Sequence, residues 1–148
     1  MKKLLALLLL VPTLALAQKA PKGVTYDAQI LRVSDGDTVV IAAPFLPAPL
    51  KPELAVRVYG VDTPEKGHRA QCPSEAQRGE AASAFTKNAI AQAAASGGKF
   101  QATLYGWDKF GGRVLGDILV NGQSLRSALI ANGFAREYYS DAKQSWCN

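Results

Sequence analysis

The chain has 148 residues, with 17 basic and 12 acidic side chains and a formal net charge of +5. Its length suits one domain with one core, and no internal repeat or low-complexity linker divides it. The basic excess permits a polyanionic partner without demanding one.

MKKLLALLLLVPTLALAQ opens the chain. Lys2 and Lys3 precede an apolar run, and Ala15-Leu16-Ala17 has the small-x-small pattern of a signal-peptidase site. Residues 4–10 are too few to cross a bilayer, and polar residues follow Ala17 directly. We read residues 1–17 as an export signal cut before Gln18, with an uncleaved anchor as the alternative. No Cys follows the cut, so no lipid anchor is expected there. The mature domain, residues 18–148, keeps 131 residues, and losing Lys2 and Lys3 leaves 15 basic against 12 acidic side chains. Periplasmic or extracellular residence follows. Cys72 and Cys147 are the only cysteines. An oxidising compartment favours pairing them, and two free thiols are the alternative.

Residues 26–33 (YDAQILRV) read as a strand, and Gly36 marks a tight turn within SDGDT. Residues 37–43 (DTVVIAA) form a second strand. Prolines at 44, 47, 49 and 52 make the next stretch a long, stiff loop. Residues 54–61 are the third strand. A helix is expected over 74–96, capped by Ser74 with Gln77 three residues on, and with Ala81, Ala84, Phe85, Ala89 and Ala93 at helical spacing. Gly97-Gly98 stops it. Residues 100–105 and 114–120 are the fourth and fifth strands, joined by the Gly-rich turn GWDKFGGR. Ser124 caps a short helix carrying Leu125, Ala128 and Leu129, which ends at Gly133. The order is β-β-β-α-β-β-α. Connections this short favour a small, partly open barrel of the OB type over a parallel sheet.

VRVYGVDTPE, residues 56–65, carries the chemistry. Arg57 sits inside an apolar strand, which is costly unless it is paired. Either it bridges to a nearby acid, or it grips a phosphate with two parallel hydrogen bonds. Strict alternation puts Arg57 and Asp62 on opposite faces, so a shared site needs a bend, and Gly60 is the place for it. Asp62 and Glu65 flank Pro64 at the strand's end. Asp35 and Asp37 occupy the upstream turn. If the two turns meet, the carboxylates crowd together and call for a cation or else raised pKa values. Oxygen ligands without His or Cys suit Ca²⁺ or Mg²⁺ rather than zinc. Arg113, beside two glycines, offers a second guanidinium.

SDGDTVVI, VRVYGVDTPE, EAASAFTKNAI, DKFGGRVLGDILVNG and LIANGFAREYY, in this order and spacing, resemble the staphylococcal nuclease (thermonuclease) family. RAQCPSE around Cys72 and the Trp146-Cys147 tail resemble an exported bacterial branch of it. The resemblance spans about residues 27–139. It implies a mainly β, α+β fold, a five-stranded OB-fold barrel, and Ca²⁺-dependent hydrolysis of DNA and RNA; the oligomeric state is open, with a monomer as the default expectation. Asp37 and Asp62 match the calcium carboxylates, and Thr63 matches the residue that lends a backbone carbonyl. Glu65 matches the proposed general base, and Arg57 and Arg113 match the phosphate-clamping arginines. Asp35 and Thr38 match positions close behind the metal. Lys109, Phe110 and Tyr139 fall at substrate-side positions.

The chain departs from the family in three places. Two glycines precede Arg113 where many relatives have one, Phe110 replaces a frequent Tyr, and the Pro-rich loop is longer. His68, the sole histidine, has no expected role. The competing expectations are a non-catalytic OB module that binds single-stranded nucleic acid, and a calcium-stabilised structural domain. Retention of all five charged site positions favours the enzyme.

Overall fold

The computed structural model describes residues 21–147, so the leader reading at residues 1–17 lies outside the described part. In chain order the elements are β1 (Val24–Asp27), β2 (Ile30–Asp35), β3 (Thr38–Ala42), β4 (Glu53–Val58), β5 (Val61–Asp62), α1 (Pro73–Ala95), β6 (Phe100–Trp107), β7 (Val114–Val120), β8 (Gln123–Ser124), α2 (Leu125–Ala131) and β9 (Arg136–Glu137). A single 3-10 turn, Gly67–Arg69, precedes α1. No helix among the described residues is long and apolar enough to cross a membrane.

The fold is α+β and of the OB type, with one correction. The main sheet runs β1-β6-β7-β4-β3-β2, with β8 on β7, and it is not closed into a five-stranded barrel. The strand expected over 26–33 is two strands that change partner. β1 pairs with β6, and β2 pairs with β3. At the break the Ala28 N–H donates to Phe100 O, while Gln29 O accepts from the Ala42 N–H, both at 2.9 Å. The two ends of the sheet are therefore consecutive in the chain without being hydrogen-bonded to each other. β4 and β7 are parallel, and the other strand pairs are antiparallel.

Alternation along β4 buries Leu54, Val56 and Val58 and leaves Ala55 and Arg57 on the other face. The buried set meets Val39 and Ile41 from β3, Ile118 from β7, and Leu125 and Leu129 from α2. Each such side chain contributes roughly 1.5–3 kcal/mol on burial. Ser124 caps α2 through the Ser127 N–H as expected, and Gly133, at φ 74°, follows its end. Asp117 braces that helix start by accepting from the Ser124 hydroxyl and from the Arg126 N–H. Burial pushes the Asp117 carboxyl up, and these donors offset only part of that.

α1 corrects two expectations. Its cap is Cys72, whose sulfur accepts from the Glu75 N–H, and Pro73 occupies the first turn. A proline with φ already helical starts a helix well, so α1 begins ahead of Ser74. Its buried face is Gly79, Ala82, Ser83, Thr86, Ile90 and Ala93, while Ala81 and Ala84 are exposed. Alanines surround this helix, so their spacing does not mark a face. Thr86 does, because its hydroxyl donates to Gly36 O at 2.7 Å and ties α1 to the SDGDT turn.

Candidate active site

Two turns and a tail build the site. The expected third strand breaks after Val58, and Gly60, at φ 74°, turns the chain into β5. A β-carbon there would be strained and would lie 2.8 Å from the Tyr139 ring. The bend ends the β4 alternation before Asp62, and Asp62 lines a cavity that Arg57 does not.

Arg57 is partnered. Its Nη1 donates to Asp37 Oδ2 at 2.7 Å, and Asp37 is almost fully buried. The Thr38 hydroxyl donates to Asp37 Oδ1 at 3.0 Å, and Arg57 Nη2 lies 3.5 Å from Val61 O. The guanidinium thus joins the SDGDT turn to the Asp62 turn. Asp35, at the other end of the first turn, has different partners. Arg69 Nη2 reaches both its oxygens at 3.0 Å, and Lys66 Nζ lies 3.3 Å away. Burial raises the Asp35 carboxyl, but Arg69 and Lys66 outweigh it and hold the group below its usual range.

Asp62 and Thr63 are buried and Glu65 is partly exposed. They line a cavity of about 370 Å³ with Arg69, Glu75 and Trp146. Glu65 Oε2 lies 3.4 Å from Arg69 Nε. Gly79 of α1 backs this loop, and a β-carbon there would stand 2.3 Å from Glu65 O. Only glycine allows so close an approach. The Trp146 indole donates to Asp62 Oδ2 at 3.0 Å. Asp62 Oδ1 accepts no well-aligned hydrogen bond, and the Lys143 ammonium 2.7 Å away is its charge partner.

Arg113 stands elsewhere. It pairs with the nearly buried Asp108 at 2.6 Å and closes the β6–β7 hairpin, and it does not line the cavity. Gly111 and Gly112 both take positive φ in that turn. Phe110 projects into solvent, with Lys109 Nζ 5.0 Å above its ring. Tyr139 packs on the bend, its ring 5.8 Å from Tyr59 and its hydroxyl accepting from Arg126 at 2.6 Å. It lines no part of the cavity. His68 is exposed in the 3-10 turn.

The expected disulfide is present. Cys72 and Cys147 are bonded with Cα atoms 5.9 Å apart, which straps the tail to the start of α1. With Glu75 they are the only trio of possible ligand residues among the described residues whose ligand atoms all lie within 4.8 Å of one another. Both sulfurs are committed to each other, so this trio offers one carboxylate and is no metal centre. Asp37, Asp62 and Glu65 do not converge that closely.

Sequence reasoning missed three site residues. Glu75 accepts from the Glu65 N–H at 3.2 Å and from the Gln71 N–H at 2.8 Å, so it anchors the Glu65 loop. Its position three residues after Cys72 is capping-box spacing, visible once the cap is placed correctly. Lys143 and Trp146 lie in an aperiodic tail, and nothing local signals their contact with Asp62.

A family described as staphylococcal nuclease homologue matches residues 55–146. The match covers Arg57, Asp62, Glu65 and Arg113, and the SDGDT turn precedes it. No curated protein matches the chain.

Proposed function

The chain belongs to the staphylococcal nuclease family, and from that premise we propose that it is an exported, calcium-dependent nuclease of DNA and RNA. One observation carries the reading: a buried carboxylate oxygen of Asp62, faced only by the half-exposed Lys143 ammonium, stands beside Glu65 on one cavity. A buried carboxylate oxygen faced by a displaceable positive charge, among oxygen-only ligands, fits a hard divalent cation.

Asp37, Asp62 and the Thr63 carbonyl would hold the ion. Bound calcium would supply positive charge where negative charge builds on the phosphoryl oxygens. Arg57 adds a second charge from the bend, shared between Asp37 and a phosphate oxygen. Arg113 does the same once a phosphate replaces Asp108 as its partner. Glu65 takes a proton from the attacking water while the water oxygen bonds to phosphorus. The bond from phosphorus to the 5′ oxygen breaks opposite, and that oxygen takes the electron pair and a proton from solvent, leaving a 3′-phosphate and a 5′-hydroxyl. Glu75 keeps Glu65 in place through its backbone N–H. Lys109 and Phe110 extend the surface for the nucleic acid, and Tyr139 supports the bend. Export is supported by the leader pattern and by the disulfide.

Digestion of single-stranded DNA, double-stranded DNA and RNA tests this, with calcium and with a chelator. Wild type and Glu65→Gln are run side by side, with circular dichroism as the folding control. Calcium-dependent cleavage lost in the folded variant, by about 100-fold or more, is the expected outcome. A folded wild type that cleaves nothing with any divalent ion, yet binds single strands, is a binding module instead.

A further inference from the structure

We propose that two tail residues set the affinity of the Asp62 cation site: Trp146 positions the carboxylate, and Lys143 occupies the ion's place until an ion displaces it. This rests on the calcium reading above. Both residues touch the same carboxylate but differ in how they are held.

Trp146 is fixed. It is 7% exposed, its neighbour Cys147 is bonded to Cys72, and the Arg136 guanidinium lies 3.7 Å over its ring. Arg136 also donates to Ser145 O at 2.9 Å, and Arg78 donates to Trp146 O at 3.2 Å. An indole N–H donates only and cannot ligate a metal. By engaging Oδ2 at 3.0 Å it fixes the carboxylate plane and leaves Oδ1 to face Lys143 or an ion. Trp146 is therefore a positioning residue, of the kind whose loss costs metal affinity without removing a ligand.

Lys143 is loosely held. Its side chain is half exposed, and its ammonium lies 2.7 Å from Asp62 Oδ1 and 5.6 Å from the Tyr138 ring centroid. An ammonium is a compact point charge on a flexible stem. It neutralises the buried carboxylate when no ion is present. A divalent cation must displace it, and the stem can then swing into solvent. The two neighbours therefore act in opposite directions on ion binding, which a pair of merely structural contacts would not do.

Calorimetric titration of the mature protein with Ca²⁺ alone reads the affinity, and thermal unfolding in chelator reads the ion-free fold. Lys143→Met is expected to tighten Ca²⁺ binding about tenfold, as when a competing state filled nine-tenths of the time is removed. The same variant should unfold at a lower temperature in chelator, because Asp62 loses its counter-charge. Trp146→Phe, with the disulfide intact, is expected to weaken binding by about tenfold or more. Unchanged affinity in Lys143→Met with a wild type that binds Ca²⁺ overturns this proposal and leaves the nuclease reading standing. No Ca²⁺ binding by any of the three proteins overturns both. If Trp146→Phe does not fold, Lys143→Met alone decides.

Discussion

The surroundings of Arg57 and Arg113 differ in how they are built. Around Arg57, three layers converge: the Gly60 bend, the Asp37 turn, and α1 packed through Gly79 onto the Glu65 loop. A disulfide and a buried tryptophan close that side. Around Arg113 there is one ion pair to Asp108, two positive-φ glycines and the exposed Phe110. The first region is preorganised by packing and covalent closure. The second is held by that pair and the turn alone. Under the proposed function these regions would act as a rigid charge scaffold and an adaptable edge, and each should fail differently when perturbed.

The largest expected effect is on the strapped side. Cys72→Ser with Cys147→Ser opens a loop of 75 positions and should cost about 4 kcal/mol of stability in the chain-entropy account. Denaturant unfolding of oxidised wild type against the double variant measures it. A loss below about 1 kcal/mol would mean that Trp146 and Arg136 hold the tail without the bridge, and the contrast between the halves would weaken. Next is Gly79→Ala. Its β-carbon would meet the Glu65 carbonyl at 2.3 Å, and overpacking of this kind costs roughly 1–3 kcal/mol. Turnover should fall alongside stability, because the loop that yields is the one carrying Glu65. Normal turnover in a destabilised Gly79→Ala protein would detach Glu65 from catalysis.

A smaller effect sharpens the same side by pH. Asp35 is held below the usual carboxylate range, so in the folded state it binds its proton less readily than when unfolded. Its contribution is therefore present above about pH 4, the unfolded value, and is lost as pH falls through the folded value. Arg69 is half exposed, which limits the contribution to below about 1 kcal/mol. Arg69→Gln should flatten the stability–pH curve in that acid window and leave it unchanged at pH 7–8 apart from a constant offset. An unaltered acid limb would assign the shift to Lys66 instead.

The rigid half was the more legible in sequence, for a physical reason. A glycine in a strand beside an arginine and two acids states a local conflict, and the chain does bend at Gly60. Arg57 also met one of its two expected fates, pairing with an acid, although that acid is Asp37, twenty positions upstream, rather than Asp62. The strand over 26–33 was less legible because a change of partner at Ala28–Gln29 leaves no mark on a β-prone run. The barrel expectation failed with it. The helix face was misjudged because alanine suits both the buried and the solvent side. Trp146 and Asp62 are 84 positions apart, and no periodicity spans that distance. What brings them together is the Gly60 bend and the strap, which are tertiary facts.

The smallest effect on stability belongs to the open hairpin, and it is the most informative about substrate. Phe110 is 79% exposed, so Phe110→Ala should move the unfolding free energy by no more than about 0.5 kcal/mol. If the ring serves as a stacking face, the same change should weaken binding of a short single-stranded oligonucleotide by about 1–3 kcal/mol, the range for one lost base–aromatic contact. Fluorescence anisotropy of a labelled oligonucleotide, with calcium withheld so that nothing is cut, reads that loss directly. Wild-type affinity in Phe110→Ala would leave Lys109 and the neighbouring exposed Trp107 as the aromatic-basic contacts to test. A large loss of fold stability would instead make the hairpin part of the rigid scaffold, and the division between the two halves would fall.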